Sequence, residues 1–477
     1  MENKEKKPGL KKWVKGLIIG GASLLTVILT ICVIGVSYAT YPKRYKYNDP
    51  EHVEVQHDKL ETVKAVGRSL YDVNGDVLHL KGVNYGNYLI QEEWMSINSL
   101  GPLLNEDGSY ASVNYEGTVT SYNESYQEDI NKALRENPNN FTEEQIEELW
   151  EIYYDAYCQE VDFQNIKNSG LNLIRLPVDY HTFLKGDDEH LVMKDNAFER
   201  IDWFLEMSKK YELYVIIDMH GVPGGQNGYE HSGVRSVEFW DNELYQNTII
   251  KLWRDIAEHY ATERADLAST IASYDLINEP ANNYFTTGKK QWDVMDKIYD
   301  AIREVDTDHV ITFEGCWFFN NLPDPKDYGW ENVMYEYHFY NWNEPLVSND
   351  MFYALQFLTF EGHDFEVPKY VGEFTFFDNK DEWIKWLNYY DLMGFNWSFW
   401  SYKAVSVGWW DTSWGMYVQR LFHKEGDLKL DLRTATYEEI RSVWADEGTF
   451  DLNGNPNYTA SDTGTLSIIK DYFAQCN

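Results

Sequence analysis

Two glutamates in this chain close apolar runs and could act together on one bond. Glu279 lies in Leu276-Ile277-Asn278-Glu279-Pro280 and Glu373 in Val371-Gly372-Glu373-Phe374. Paired carboxylates of this kind suit glycosidic cleavage: one carboxylic acid protonates the leaving oxygen, and one carboxylate meets the oxocarbenium-like carbon. At a separation of about 5 Å the second attacks directly and configuration is retained. The acid needs its pKa raised relative to its partner, so a poorly solvated or carboxylate-facing setting is expected for Glu279. Other groups end neighbouring runs: Arg175 in Ile174-Arg175-Leu176-Pro177, His220 in Asp218-Met219-His220-Gly221, then Asn278, His338, Tyr340 and Trp400. Any one of them has an ordinary explanation as an ion-pair or surface residue; convergence on one rim gives them chemical meaning.

A scaffold is needed that brings these run-ends together. β-type runs are read at 77–85, 171–179, 214–220, 271–278, 310–314, 333–340, 370–374 and 395–402, short and apolar as strands buried on both faces should be. Helical periodicity falls between them at 198–211, 244–260 and 290–305, and again in the tail at 437–444 and 466–473. Eight alternations predict an α/β fold, a (β/α)₈ TIM barrel, whose active site gathers at the C-terminal strand ends. A doubly wound open sheet competes, but no G-x-G-x-x-G or P-loop follows the first strand. A polar insertion after strand 1, at 96–140, is either one wall of the cleft or a surface loop. Neither a second domain nor an internal repeat is evident.

The net charge of −37 repels phosphate backbones, so nucleic acid is not an expected partner, and a neutral polymer fits better. With 18 Trp, 36 Tyr and 23 Phe, aromatic residues make up 16% of the chain, which fits a Trp-rich core or rings that stack on sugars. Cys32, Cys158, Cys316 and Cys476 show no C-x-x-C spacing, so neither a metal nor a redox site is expected. Lysines at 4, 6, 7, 11, 12 and 15 precede an apolar stretch from Leu17 to about Ala39, long enough for a membrane-spanning helix with its basic flank inside. Residues 1–40 therefore read as a cytoplasmic tail and transmembrane signal anchor, 41–60 as a tether and 61–477 as the exported domain at the cell surface. Ser37-Tyr38-Ala39 offers the competing outcome of cleavage and secretion.

The motifs resemble family 5 of the glycoside hydrolases, whose signature is Leu-x-Asn-Glu-Pro. That resemblance implies that Glu279 is the general acid/base and Glu373 the nucleophile, with Arg175, His220, Asn278, His338, Tyr340 and Trp400 at the family's remaining active-site positions. Within the family the chain looks most like the exo-β-1,3-glucanases. Gly82-Val83-Asn84-Tyr85-Gly86-Asn87-Tyr88-Leu89 is similar to their strand-one motif, followed by Glu92, which implies a contact to the terminal sugar. The run from His220 to Gly228 is similar to their loop after strand 3. It implies that Gln226 and Asn227 bind substrate and that Tyr229 clamps it at the mouth. The resemblance implies no cofactor and no metal. The expected substrate is a β-glucan or β-glucoside and the expected state a monomer. An endo-β-1,4-glucanase, a hydrolase of lipid-linked β-glucosides and a non-enzymatic carbohydrate binder remain as alternatives. Trp409-Trp410-Asp411 and the 96–140 insertion depart from the pattern.

Overall fold

The computed structural model describes residue 47 and residues 62–113, 117, 119–281, 287–344, 346–360, 362–406, 414–420, 428–461 and 464–475. The expected anchor at 1–40, nearly all of the 41–60 tether, and Trp409-Trp410-Asp411 lie outside the described residues. Among the described residues no helix is long and apolar enough to cross a membrane.

Eight parallel strands close on themselves in sequence order: β1 Lys81–Asn84, β2 Leu173–Asp179, β3 Tyr214–Gly221, β4 Ile271–Asp275, β5 Ile311–Glu314, β6 Val333–Phe339, β7 Lys369–Phe374 and β8 Asn396–Phe399. Every run expected as a strand contributes one. The first is divided: Val77–Leu78 pairs antiparallel with Leu70 and Tyr71, in a three-stranded N-terminal sheet, before the chain enters the barrel. That sheet packs Val63 and Leu70 against Leu80, Leu173, Ile216, Ala272, Val310, Met334 and Tyr370, an apolar plug at the N-terminal strand ends.

Helices follow most strands. They are α1 Gln127–Arg135, α2 Glu143–Tyr157, α3 Glu160–Asn168, α4 Glu199–Lys210, α5 Glu243–Glu258, α6 Lys289–Arg303, α7 Asn349–Phe357, α8 Lys380–Met393, α9 Tyr437–Ala445 and α10 Thr465–Gln475. Their ends are set locally. Thr142 and Gln145 form a reciprocal capping box at the start of α2, and Gly394, at φ 68°, ends α8 in the left-handed conformation that favours glycine. One link departs from the expected alternation: β5 and β6 are joined by the 3₁₀ turns Phe319–Asn321 and Pro325–Asp327. Pro323 and Pro325 in that link disfavour a continuous helix.

The aromatic excess serves two places. Trp253, Trp383, Trp386, Trp397 and Trp444 are fully buried core, whereas Trp94, Trp342, Trp400 and Trp414 gather near the C-terminal strand ends. The described residues of the insertion bond to neighbouring segments. Its Asn98–Ser99 pairs with Leu430–Asp431. Around α1, Glu128 N–H donates to the Gly233 carbonyl at 2.9 Å, Tyr126 Oη donates to the Gly228 carbonyl at 3.2 Å, and Asp129 pairs with Arg235. It thereby braces the loop that follows β3. Cys158 and Cys316 are buried free thiols.

Candidate active site

Strand register builds the floor of the site. It sets Asp275 beside Asp218, Glu314 beside Glu336, and His338 beside Glu373. Like charges facing one another across strands repel, and Arg175 from β2 answers most of that repulsion. Its fully buried guanidinium lies 3.1 Å from Asp218, 2.8 Å from Asp275, 3.2 Å from Glu336 and 2.9 Å from Glu373. It also donates to Asn84 Oδ1 at 3.2 Å and Asn278 Oδ1 at 2.9 Å. Gly372 makes room for this arrangement, because a Cβ there would lie 1.5 Å from Glu336 Oε1. One cation does not neutralise the whole layer. Burial, opposed by Arg175, pushes Asp218 up to about 7 and Asp275 up to about 6. Burial raises Glu314 and Glu336 well above the carboxylate range.

Glu373 rises from this floor at the end of β7. Arg175 Nη1 donates to its Oε1 at 2.9 Å and Tyr340 Oη to its Oε2 at 2.8 Å. Glu279 stands across from it, beyond the end of β4. His338 Nδ1 is 2.9 Å from Glu279 Oε1 and 3.6 Å from Glu373 Oε2, and carboxylate oxygens of the two glutamates lie within 4.8 Å. The backbone at Glu279 is strained, with φ 41°. Glu314 Oε2 accepts its N–H at 2.5 Å, and Asn227 Nδ2 donates to its carbonyl at 3.1 Å, pinning that conformation from both sides.

The expected rise in the Glu279 pKa is not found. Burial does push it up, but His231 Nε2, 2.9 Å from Oε2, and His338 more than reverse that, and the carboxyl is held well below its usual range. His231 was not anticipated from sequence. It lies two residues beyond Tyr229, and a titratable ring so close to an expected substrate contact was the available signal.

The remaining expected residues divide into two groups. His220 hydrogen-bonds Asp218 through Nδ1 at 2.6 Å and stacks on Trp400 at 5.6 Å; burial lowers its pKa far below the usual imidazole value, and Nε2 has no partner among the described residues. Glu92 is 8% exposed, accepts from Trp94 Nε1 at 2.8 Å, and is pushed up to about 7 by burial. Tyr229, 38% exposed, stacks on His231. Gln226 departs from its expected role. It is fully buried, and its amide donates to the His220 and Asn278 carbonyls, which makes it a strut between the ends of β3 and β4. Asn227 likewise holds the turn, through the Tyr229 N–H and the Glu279 carbonyl. Trp342, 57% exposed and stacked 5.1 Å from Tyr340, was also missed. Two groupings bring possible metal-ligand atoms within 4.8 Å: Glu279, His338 and Glu373, and Glu314, Glu336 and His338.

Comparison with known proteins gives this geometry a family. The model of cellulase, glycosyl hydrolase family 5, matches residues 121–406, more than half of the chain. A beta-xylosidase of Phanerodontia chrysosporium is 32% identical over 219 residues, 44% of each protein. Glucan 1,3-beta-glucosidase 2 of Wickerhamomyces anomalus is 28% identical over 268 residues, 55% of this chain and 56% of that protein. The chain thus spans about half the length of these curated relatives. Among solved structures, rutinosidase from Aspergillus niger aligns over 68% of this chain and 90% of that one, at 15% identity and TM-score 0.48. By the family model, the chain belongs to glycosyl hydrolase family 5.

Proposed function

We propose that the protein is a retaining β-glycosidase that removes glucosyl units from β-1,3-glucan or short β-glucosides, with Glu373 as nucleophile and Glu279 as acid/base. The observation that carries this reading is the facing pair itself: two carboxylates within 4.8 Å, one gripped by Arg175 and Tyr340, the other by two imidazoles. That spacing suits direct attack and leaves no room for a water between the pair, as inversion would require.

In the first step a Glu373 oxygen bonds to the anomeric carbon, the glycosidic C–O bond breaks, and a proton delivered by Glu279 goes to the leaving oxygen. In the second, Glu279 takes a proton from water, the water oxygen bonds to the anomeric carbon, and Glu373 leaves. Asn278 is oriented by Arg175 towards the sugar 2-OH, where contacts strengthen in the transition state. The unpartnered His220 Nε2 and the Trp400 ring supply a hydrogen bond and a stacking floor. Glu92 supports an exo mode, since a buried acceptor beyond the reacting sugar suits terminal hydroxyls. The relative named glucan 1,3-beta-glucosidase favours a β-1,3-glucan, and the one named beta-xylosidase makes xylosides the second substrate to try.

Product analysis on laminarin, lichenan, cellulose, and aryl glucosides and xylosides tests the specificity. Glucose alone from laminarin is expected, and a ladder of oligosaccharides from cellulose would overturn the exo-β-1,3 reading. Treatment with a 2-deoxy-2-fluoro glucoside should label Glu373 in peptide mass mapping; an adduct on any other residue would refute its role.

A further inference from the structure

His231 sits in the short turn Glu230–Ser232 after β3, with its side chain 23% exposed, and it has no role in the two steps above. Its Nε2 faces two groups at once. Glu279 Oε2 lies 2.9 Å away and Asn227 Nδ2 also 2.9 Å away. The Asn227 amide is oriented by its other contacts: Oδ1 accepts the Tyr229 N–H at 2.9 Å, and Nδ2 donates to the Glu279 carbonyl at 3.1 Å. The amide therefore turns its N–H groups towards the ring. Nε2 has one position in the plane of the ring for either a proton or a lone pair. If it holds the proton, it donates to an ionised Glu279. If it holds the lone pair, that lone pair accepts either from the Asn227 amide or from a protonated Glu279. Both arrangements fit the same heavy atoms and differ by the transfer of one proton.

We infer that His231 and Glu279 share a single proton, and that His231 is a positioning residue that stores this proton and returns it to Glu279 during each turnover. The inference rests on the acid/base role proposed above for Glu279. In the free site the proton resides on His231 and Glu279 is ionised. In the first step Nε2 gives its proton to Glu279, which passes one to the leaving oxygen as the C–O bond breaks; His231 becomes neutral and Glu279 is again a carboxylate. In the second step the attacking water gives a proton to Glu279 and thence to Nε2, and the starting state returns. Every proton is accounted for, and no co-reactant is needed.

The surroundings favour this exchange. From just beyond β4 Glu279 faces the ring, from the segment after β1 Glu92, from β7 Glu373, and from β3 His220, 6.0 Å away edge-on. Tyr229 covers one ring face at 5.7 Å, and Glu230 of the same turn is engaged by the Glu93 N–H at 2.7 Å. Burial pushes His231 down, but Glu279, then Glu92 and Glu373, more than reverse this and take it to about 9. The acid of the pair thus stays loaded to a higher pH than a lone carboxyl would allow.

The test is an NMR titration of ring-labelled histidines in the full chain, with His231 assigned by its loss in His231→Asn. His231 is expected to titrate near 9 in the wild type and about 2 or more pH units lower in Glu279→Gln. A midpoint near the ordinary imidazole value in the wild type overturns the shared proton. The alkaline limb of kcat/KM on phenyl β-glucoside should move down by at least about 1 pH unit in His231→Asn, with a loss at least about tenfold greater than on the 2,4-dinitrophenyl glucoside. Equal losses on both substrates with an unmoved limb would mean a merely structural role and overturn the inference. If the chain cleaves no β-glycoside, the proposed function fails, while the NMR midpoint still decides whether the proton is shared.

Discussion

Glu373 and Glu279 face each other across the barrel mouth and are held by opposite means. Glu373 ends a strand, and its first partner is Arg175, a permanent cation locked among Asp218, Asp275 and Glu336 with no exposure to solvent. Glu279 lies beyond its strand at a strained φ of 41°, and its partners are two titratable rings, one of them on a loop. A guanidinium cannot give up its proton at working pH, whereas an imidazole can. The difference fits the chemistry proposed for each: one carboxylate held fixed for attack on the anomeric carbon, and one whose proton comes and goes.

The sharpest way to break this contrast is to remove the fixed side. Glu373→Gln should lower kcat on every glycoside by about 10⁴-fold or more, because no nucleophile replaces it. An inactive but folded protein is expected, so its thermal midpoint should be measured beside the rates; residual activity within tenfold of wild type would contradict the assignment. Removing the mobile side should cost less and depend on the leaving group. Glu279→Ala should lose about 10²–10⁴-fold on phenyl glucoside and much less on the dinitrophenyl substrate, with azide restoring turnover on the latter. An equal loss on both, unrelieved by azide, would count against acid/base action.

Arg175→Met should act chiefly on stability. It leaves the buried carboxylate layer without its cation, and a loss of about 3–5 kcal/mol in unfolding free energy is expected by denaturant titration. A loss under about 1 kcal/mol would mean that the layer does not depend on Arg175. A smaller effect is expected from pH alone. Asp218 and Glu92 near 7, Asp275 near 6 and Glu447 near 7 are all raised by burial above their unfolded values. Such groups contribute their full stability below about pH 4, and that contribution is lost as pH rises through 6 to 7. His231, raised to about 9, adds a further loss between about pH 6.5 and 9. The thermal midpoint should therefore fall from pH 5 to pH 8; a rise across that interval would contradict the buried acid layer.

The same contrast separates what was legible in the sequence from what was not. The strand side was readable, because strands buried on both faces leave apolar runs, and Glu373 and Tyr340 mark the ends of such runs, whereas Arg175, expected at a strand end, lies inside Leu173–Asp179. The pairing of Val77–Leu78 with the N-terminal sheet was not legible because only His79 and Leu80 separate it from β1, with no turn residue to mark the break. Asp218, Asp275, Glu314 and Glu336 left a trace, as acidic residues inside or at the ends of buried runs. Their sharing of one cation depends on register between strands far apart in sequence. The loop side was less readable. Gln226 and Asn227 bear side chains that suit sugar contacts, yet the fold uses them to hold backbone. His231 follows no periodic pattern, and its position is set by the turn that Asn227 and the insertion around α1 hold in place.

Retention of configuration is the outcome that the facing carboxylates require, and it can be read directly. Proton NMR of an aryl β-glucoside or of laminaribiose during the first minutes of hydrolysis, before mutarotation, should show the β-anomer of glucose appearing first. Initial release of the α-anomer would mean a single displacement by water, and would contradict the nucleophilic role of Glu373 opposite Glu279.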